Sequence, residues 1–326
     1  VHFEKGKRAS LESWAETSSN RELIRVDNDS RTATVAGPRY QLVDSLWARV
    51  TAGEPLVDPL ATRSYIESIE PNYVLSYSEP IRLLDNESAW EPPEEGILEI
   101  DDPPYPTEGV AFDDVNETTV EVAAETTGSD NLSATGAGTT VAVVDTGCNV
   151  AGGSAGVEDD LHNKSASFLG DGVTTVNESG FDSIADENGH GSWVTSAITG
   201  NGSSAIQGHA PDAEILCLQA LDEDGSGSTS DIAASIRYAA DANASVDVLT
   251  MSLGSPVYSE SLQNAIEYAL NNSDIKAVTV ATGNSRSTTT FVASPADVEG
   301  VIGVGSTTNQ PSGEARSAYF SQVSGQ

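Results

Sequence analysis

From residue 139 onward, short apolar runs alternate with stretches of helical spacing. Val141–Val144 is a β-branched run that ends on Asp145, with Thr146 and Gly147 behind it. An apolar run of this length bounded by turn residues predicts a strand buried on both faces. The same pattern predicts strands at Glu214–Leu221, Val246–Met251, Ala277–Ala281 and Val301–Val304. It predicts helices at Ser192–Thr199, Asp231–Asp241 and Ser261–Leu270. Strands alternating with helices imply the α/β class, a parallel β-sheet with helices on both faces.

Residues 1–77 pattern as a small α+β domain. Val1–Phe3 starts a strand, and Ala9–Thr17 has helical spacing. Leu23–Val26 and Thr32–Val35 flank a turn signal at Asn28-Asp29. Leu42–Val50 is a second helix, and Tyr73-Val74-Leu75 a closing strand. Residues 78–138 differ: Trp90–Pro106 reads WEPPEEGILEIDDPPYP, and paired prolines exclude helix. That stretch is expected to be an extended acidic linker. The compact α/β domain then spans 139–326.

Charge narrows the partners. The 326 residues carry 50 acidic and 15 basic side chains, a formal net charge of −35, and only four of the basic ones are lysine. Such a field repels nucleic acid and anionic membranes and favours a soluble monomer. It reads as a salt-adapted surface of the halophile kind, with an acidic extracellular protein as the plainer alternative. No apolar run approaches the roughly 20 residues of a spanning helix. Cys148 and Cys217 are the only cysteines; two do not define a disulfide framework, and while a bridge between them is possible, the expectation is two buried thiols.

Three positions carry candidate chemistry. Asp145 lies at a strand's carboxyl end, where α/β sheets place reacting groups; a capping role for the next turn is the alternative. His190 follows 45 residues later, between Gly189 and Gly191 and just before a predicted helix. Glycines on both sides let the backbone approach a neighbour and aim a ring suited to proton transfer. Asn284 follows the strand Ala277–Ala281 and a glycine, where its amide suits an oxyanion donor or a plain turn. Ser252-Leu253-Gly254 and Gly225-Ser226-Gly227 are small-residue segments whose backbone is open to an extended peptide.

Together these segments resemble the subtilisin-like serine proteases, the subtilases. VAVVDTG resembles the family's Asp motif and HGSWVTSAITG its His motif; GHAPDAEILCLQALDEDGSGS, VDVLTMSLGSP, VTVATGNS and SPADVEGVIGVGSTT follow in the family's order. The resemblance implies a serine endopeptidase in which Asp145 orients His190 and Asn284 completes the oxyanion hole. It also implies that Gly225–Gly227 and Ser252–Gly254 flank a polypeptide substrate. Residues 1–77 resemble the family's inhibitory propeptide, a partner that folds back on its own enzyme. By the same resemblance the protein is secreted and needs no cofactor for chemistry. A structural calcium is implied only at Asp160, because Gly200–Gln207 matches the partner loop poorly.

The departures are instructive. Trp193 and Ser196 replace a His and a Gly common in the family. No Gly-Thr-Ser-Met-Ala segment, the family's nucleophile site, occurs in these residues. The expectation is a partial sequence whose nucleophile follows Gln326, and whose N-terminus precedes Val1. A rival from another class is an aspartic protease, since Asp-Thr-Gly is also its signature. That chemistry needs two carboxylates sharing a proton, and no second such motif is present. A protease-like peptide-binding module without a nucleophile is the non-enzymatic alternative.

Overall fold

The computed structural model describes residues 2–16, 22–27, 31–36, 66–68, 74–77, 128, 131–148, 160–170, 173–176, 180–200, 208–242, 244–286, 291–308, 316–317 and 321–322. The expected helix Leu42–Val50, the acidic stretch 78–127 and the loop 201–207 lie outside them.

The first unit is an antiparallel sheet ordered β2-β3-β1-β4. It is built from β1 (His2–Phe3), β2 (Glu22–Asp27), β3 (Thr32–Ala36) and β4 (Ile66–Ser68). Helix α1 (Arg8–Glu16) connects β1 to β2 and buries Leu11, as its apolar spacing requires. β2 and β3 pair on either side of the expected turn, with Leu23 opposite Val35 and Val26 opposite Ala33.

After β5 (Val74–Tyr77), the second unit runs β6 (Thr140–Asp145), β7 (Ala166–Ser167), β8 (Thr174–Thr175) and helix α2 (His190–Thr199). It continues through β9 (Glu214–Gln219), β10 (Ser226–Ser228), α3 (Thr229–Asp241), β11 (Val246–Met251), β12 (Leu253–Gly254) and α4 (Glu260–Asn272). It closes with β13 (Ala277–Ala281), β14 (Ile302–Val304), β15 (Thr307–Thr308) and β16 (Arg316–Ser317). Seven of these strands make one sheet, ordered β14-β13-β11-β6-β9-β7-β8. Neighbours are parallel throughout except β8, which runs against β7.

Pleating divides the core in two. From β6 and β9, Ala142, Val144, Leu216 and Leu218 point to one face, where they meet Ile232 and Ile236 of α3 and Leu262 and Ile266 of α4. Val141, Val143, Ile215 and Cys217 point to the other, where Val194 and Ile198 of α2 cover them. All of β6 is therefore buried, which accounts for its unbroken apolar run. Helices α3 and α4 start where Ser228 and Ser259 accept the N–H of Asp231 and Leu262 at 3.2 and 3.3 Å.

Two expectations are corrected here. Cys148 and Cys217 are not thiols; they form a disulfide with Cα atoms 6.3 Å apart. The reason is topological. Cys217 lies opposite Val143 in the β6–β9 pair, and the turn after Asp145 carries Cys148 back over the same face. The strand expected at Glu214–Leu221 also stops at Gln219, because the N–H groups of Ala220 and Leu221 both turn to the Asp145 carbonyl, at 2.9 and 3.1 Å.

Candidate active site

β6 is the middle strand of the sheet, and the chain leaves β6 and β11 in opposite directions. A crevice opens outside the carboxyl ends of such strands. Asp145 stands there, only 1% exposed. Its Oδ1 lies 2.7 Å from His190 Nδ1 and accepts the Thr146 N–H at 2.8 Å. An ionised carboxylate can only accept, so this contact selects the Nδ1–H tautomer of His190 and leaves the lone pair on Nε2. Asp145 Oδ2 is buried with no hydrogen-bond partner among the described residues.

The local sequence explains why His190 reaches Asp145. Gly189, at φ 99°, turns the chain into α2, a conformation that favours glycine. One residue on, a Cβ at Gly191 would collide with the Gly147 carbonyl oxygen and crowd Asp145 Cβ at 3.2 Å. Only glycine lets the helix start close against the end of β6.

Asp186, which the sequence reading did not single out, ties the two segments together. Its Oδ1 accepts the Thr146 hydroxyl at 2.8 Å, the Asn188 N–H at 3.1 Å and the Gly189 N–H at 2.8 Å. Its Oδ2 accepts both the N–H and the hydroxyl of Ser192 at 2.7 Å. Burial pushes this carboxyl up, but the Ser192 hydroxyl, the Gly189 and Ser192 N–H groups and the Thr146 hydroxyl outweigh it, so the net shift is downward. Thr146 Oγ1 in turn accepts the Gly191 N–H at 2.9 Å. An acid just ahead of a helix start is a readable N-terminal signal. Gln219 was also missed: opposite Asp145 in the ladder, it donates to the carbonyls of Thr146 and Ala185 at 2.9 and 3.0 Å. Only the strand register reveals that role.

The two small-residue segments face each other across the chain's own strand. β5 lies between β10 and β12 as the middle of a three-stranded antiparallel sheet. Ser76 stands opposite both Ser226 and Gly254, Leu75 opposite Gly227, and Tyr77 opposite Leu253. Leu75 is 1% exposed and joins the core cluster that holds Leu253 and Ile232. A Cβ at Gly227 would strike the Ala220 carbonyl, which belongs to the turn whose N–H groups reach Asp145. Asn188 Nδ2 donates to the Glu223 carbonyl at 2.9 Å, fixing the acidic turn before β10 to the His190 segment. In that turn a hydrogen bond that the protonated Glu223 gives to the Glu187 carboxylate, then the charges of Glu187 and Asp224, push the Glu223 carboxyl up. A second contact joins the units: Arg25 of β2 lies 2.9 Å from Asp231 Oδ1 and donates to the Ser230 carbonyl at 3.1 Å.

Asn284 lies just past β13, at the same carboxyl edge of the sheet. Its loop is held by Gln322, whose N–H donates to the Gly283 carbonyl at 2.9 Å and whose side chain accepts the Ser285 N–H at 3.3 Å. No local pattern marks Gln322, because its partners lie far upstream. Asp160 is half-buried beside the Leu161 bridge to Ile215. Among the described residues no three His, Cys, Asp or Glu side chains cluster to hold a metal ion.

Residues 136–325, more than half of the chain, match the model of the subtilase family. The chain is 44% identical over 122 residues to a thermophilic serine proteinase of Bacillus sp. strain AK1, covering 37% of this chain and 29% of that protein. It is 34% identical over 195 residues to thermitase of Thermoactinomyces vulgaris, covering 58% of this chain and 62% of thermitase. A solved structure, the S41 psychrophilic protease, superposes with a TM-score of 0.50 at 32% identity, covering 59% of this chain and 62% of that one. The chain thus spans less than two thirds of these relatives.

Proposed function

The chain belongs to the subtilase family, and from that premise we propose that it is the Asp–His part of a serine endopeptidase acting on extended polypeptides. The observation that carries this reading is the 2.7 Å contact between Asp145 and His190 at the sheet's carboxyl edge. In the proposed reaction His190 Nε2 takes the proton of a serine hydroxyl as that oxygen bonds to the scissile carbonyl carbon. It then returns the proton to the departing amine, and a water repeats the cycle on the acyl-enzyme. Asp145 stabilises the imidazolium formed in between. The Asn284 amide donates to the developing oxyanion. The nucleophile is none of residues 1–326.

The substrate lies as an added strand between β10 and β12, the place β5 takes here. Residues 1–77 are read as an internal inhibitor: the Val74–Tyr77 strand and the Arg25–Asp231 contact support that role. The acidic linker is its tether, raising its effective concentration until it is cut. The enzyme acts as an exported, salt-adapted monomer. Among the described residues no helix is long and apolar enough to cross a membrane. Calcium at Asp160 stays a minor part of the proposal, and no step runs through it.

Labelling with a serine-directed phosphonate tests the assignment. Residues 1–326 should not label, and a chain extended to include a Gly-Thr-Ser-Met-Ala-like segment should label stoichiometrically. Labelling of the 326-residue chain would show the nucleophile misplaced. Failure of the extended chain would favour the peptide-binding module.

A further inference from the structure

We propose that Asp186 is a positioning residue whose carboxylate sets the Asp145–His190 hydrogen bond by locking the start of α2 to Thr146. The proposal rests on the peptidase reading for the purpose of that bond, though not for its geometry. Asp145 and His190 come from segments 45 residues apart. Backbone packing brings the segments close, but a hydrogen bond needs tolerance of a few tenths of an ångström. Thr146 is the neighbour of Asp145, and its N–H already donates to Asp145 Oδ1. Its hydroxyl donates to Asp186 Oδ1 and accepts from Gly191 N–H. Asp186 Oδ2 takes the N–H and hydroxyl of Ser192, two residues past His190. The carboxylate thus grips both flanks of His190, Gly189 before it and Ser192 after it, and the residue beside Asp145.

The chemistry suits no other side chain as well. Five donors converge on two oxygens, and an ionised carboxylate offers about four lone-pair sites and no donor. An asparagine in its place keeps one acceptor and turns an NH₂ toward N–H groups. The negative charge also lies at the N-terminal end of α2, where it complements the helix dipole.

The test reads the bond directly, by proton NMR of the 326-residue chain with ¹⁵N-histidine. An Nδ1–H bonded to a buried carboxylate gives a resonance far downfield of the amides, and His190 should supply one. Asp186→Asn should abolish it or shift it upfield into fast exchange, whereas Asp182→Asn, the same charge change at an exposed neighbour, should leave it. Thr146→Val cuts the same link from the other side and decides the matter if Asp186→Asn does not fold; it too should lose the resonance. Asp186→Glu, which restores both oxygens, should recover it in part. Retention of the resonance in Thr146→Val, or in a folded Asp186→Asn, overturns the proposal. So does its loss in Asp182→Asn, which would make charge rather than the network responsible. None of these readouts depends on turnover, so failure of the peptidase reading leaves them interpretable.

Discussion

Leu75→Ala is the substitution that most sharply separates a docked strand from a chance contact. Leu75 is 1% exposed and shares the main core cluster with Leu253 and Ile232. Truncating a buried Leu to Ala costs ~2–5 kcal/mol, the spread reflecting how far the site collapses. Here the backbone pairing of Ser76 with Ser226 and Gly254 survives, so the loss falls on the side-chain anchor alone. At about 3 kcal/mol, and ~1.4 kcal/mol per factor of ten, opening of β5 should become roughly 150-fold more frequent. Amide hydrogen exchange in the full chain measures this, since protection reports local opening free energy. Peptides covering 226–228 and 253–254 should lose protection by about two orders of magnitude, while those covering β6 and β11 stay unchanged. An increase below about tenfold at 226–228 and 253–254, or an equal increase across the whole sheet, would refute the anchoring argument.

Three other outcomes are expected. The Cys148–Cys217 link closes a loop with a sequence separation of 69, so removing it with Cys148→Ser should cost about 4 kcal/mol, read as a lower Tm; free thiols in the native protein would contradict it. The Asp186 carboxyl is held below its ordinary range in the fold, so its stabilisation is fully present above about pH 4 and lost as pH falls through the lower folded value. The Tm gap between wild type and Asp186→Asn should therefore be widest near pH 7 and narrow as the solution is made acid, and a gap that does not narrow in acid would argue against it. With a net charge of −35, Tm should rise from dilute buffer to molar salt as the Debye length shrinks from ~30 to ~3 Å; a flat curve would remove the salt-adapted reading.

The sheet was legible because its strands carry the cost of burial in their composition. Val141–Val144 can be little else than a strand covered on both faces, and the helices between such runs have their own apolar spacing. Element ends were less legible. Helix α2 begins at His190 rather than Ser192 because Gly189 turns the chain and Asn188, Thr146 and Asp186 receive the N–H groups of His190, Gly191 and Ser192 in turn, an arrangement only three dimensions reveal. The disulfide was invisible for a similar reason: nothing at 148 or 217 says that β6 and β9 are neighbours. Asp145, His190 and the two small-residue segments stood out by residue type at strand ends and helix starts. Gln219 and Gln322 did not, since each acts through partners chosen by the fold, and Asp186 carried only the general signal of an acid ahead of a helix start.

The central claim, that Asp145 and His190 form the proton-transfer pair of a polypeptide hydrolase, is tested most directly by turnover. In a chain that supplies the nucleophile, hydrolysis of an unfolded polypeptide such as reduced casein should be measured for wild type, Asp145→Asn and His190→Ala. The account predicts a fall in kcat of roughly 10⁴-fold or more in each variant, with KM little changed and the folded state intact by circular dichroism. Hydrolysis by His190→Ala within about tenfold of wild type would contradict it.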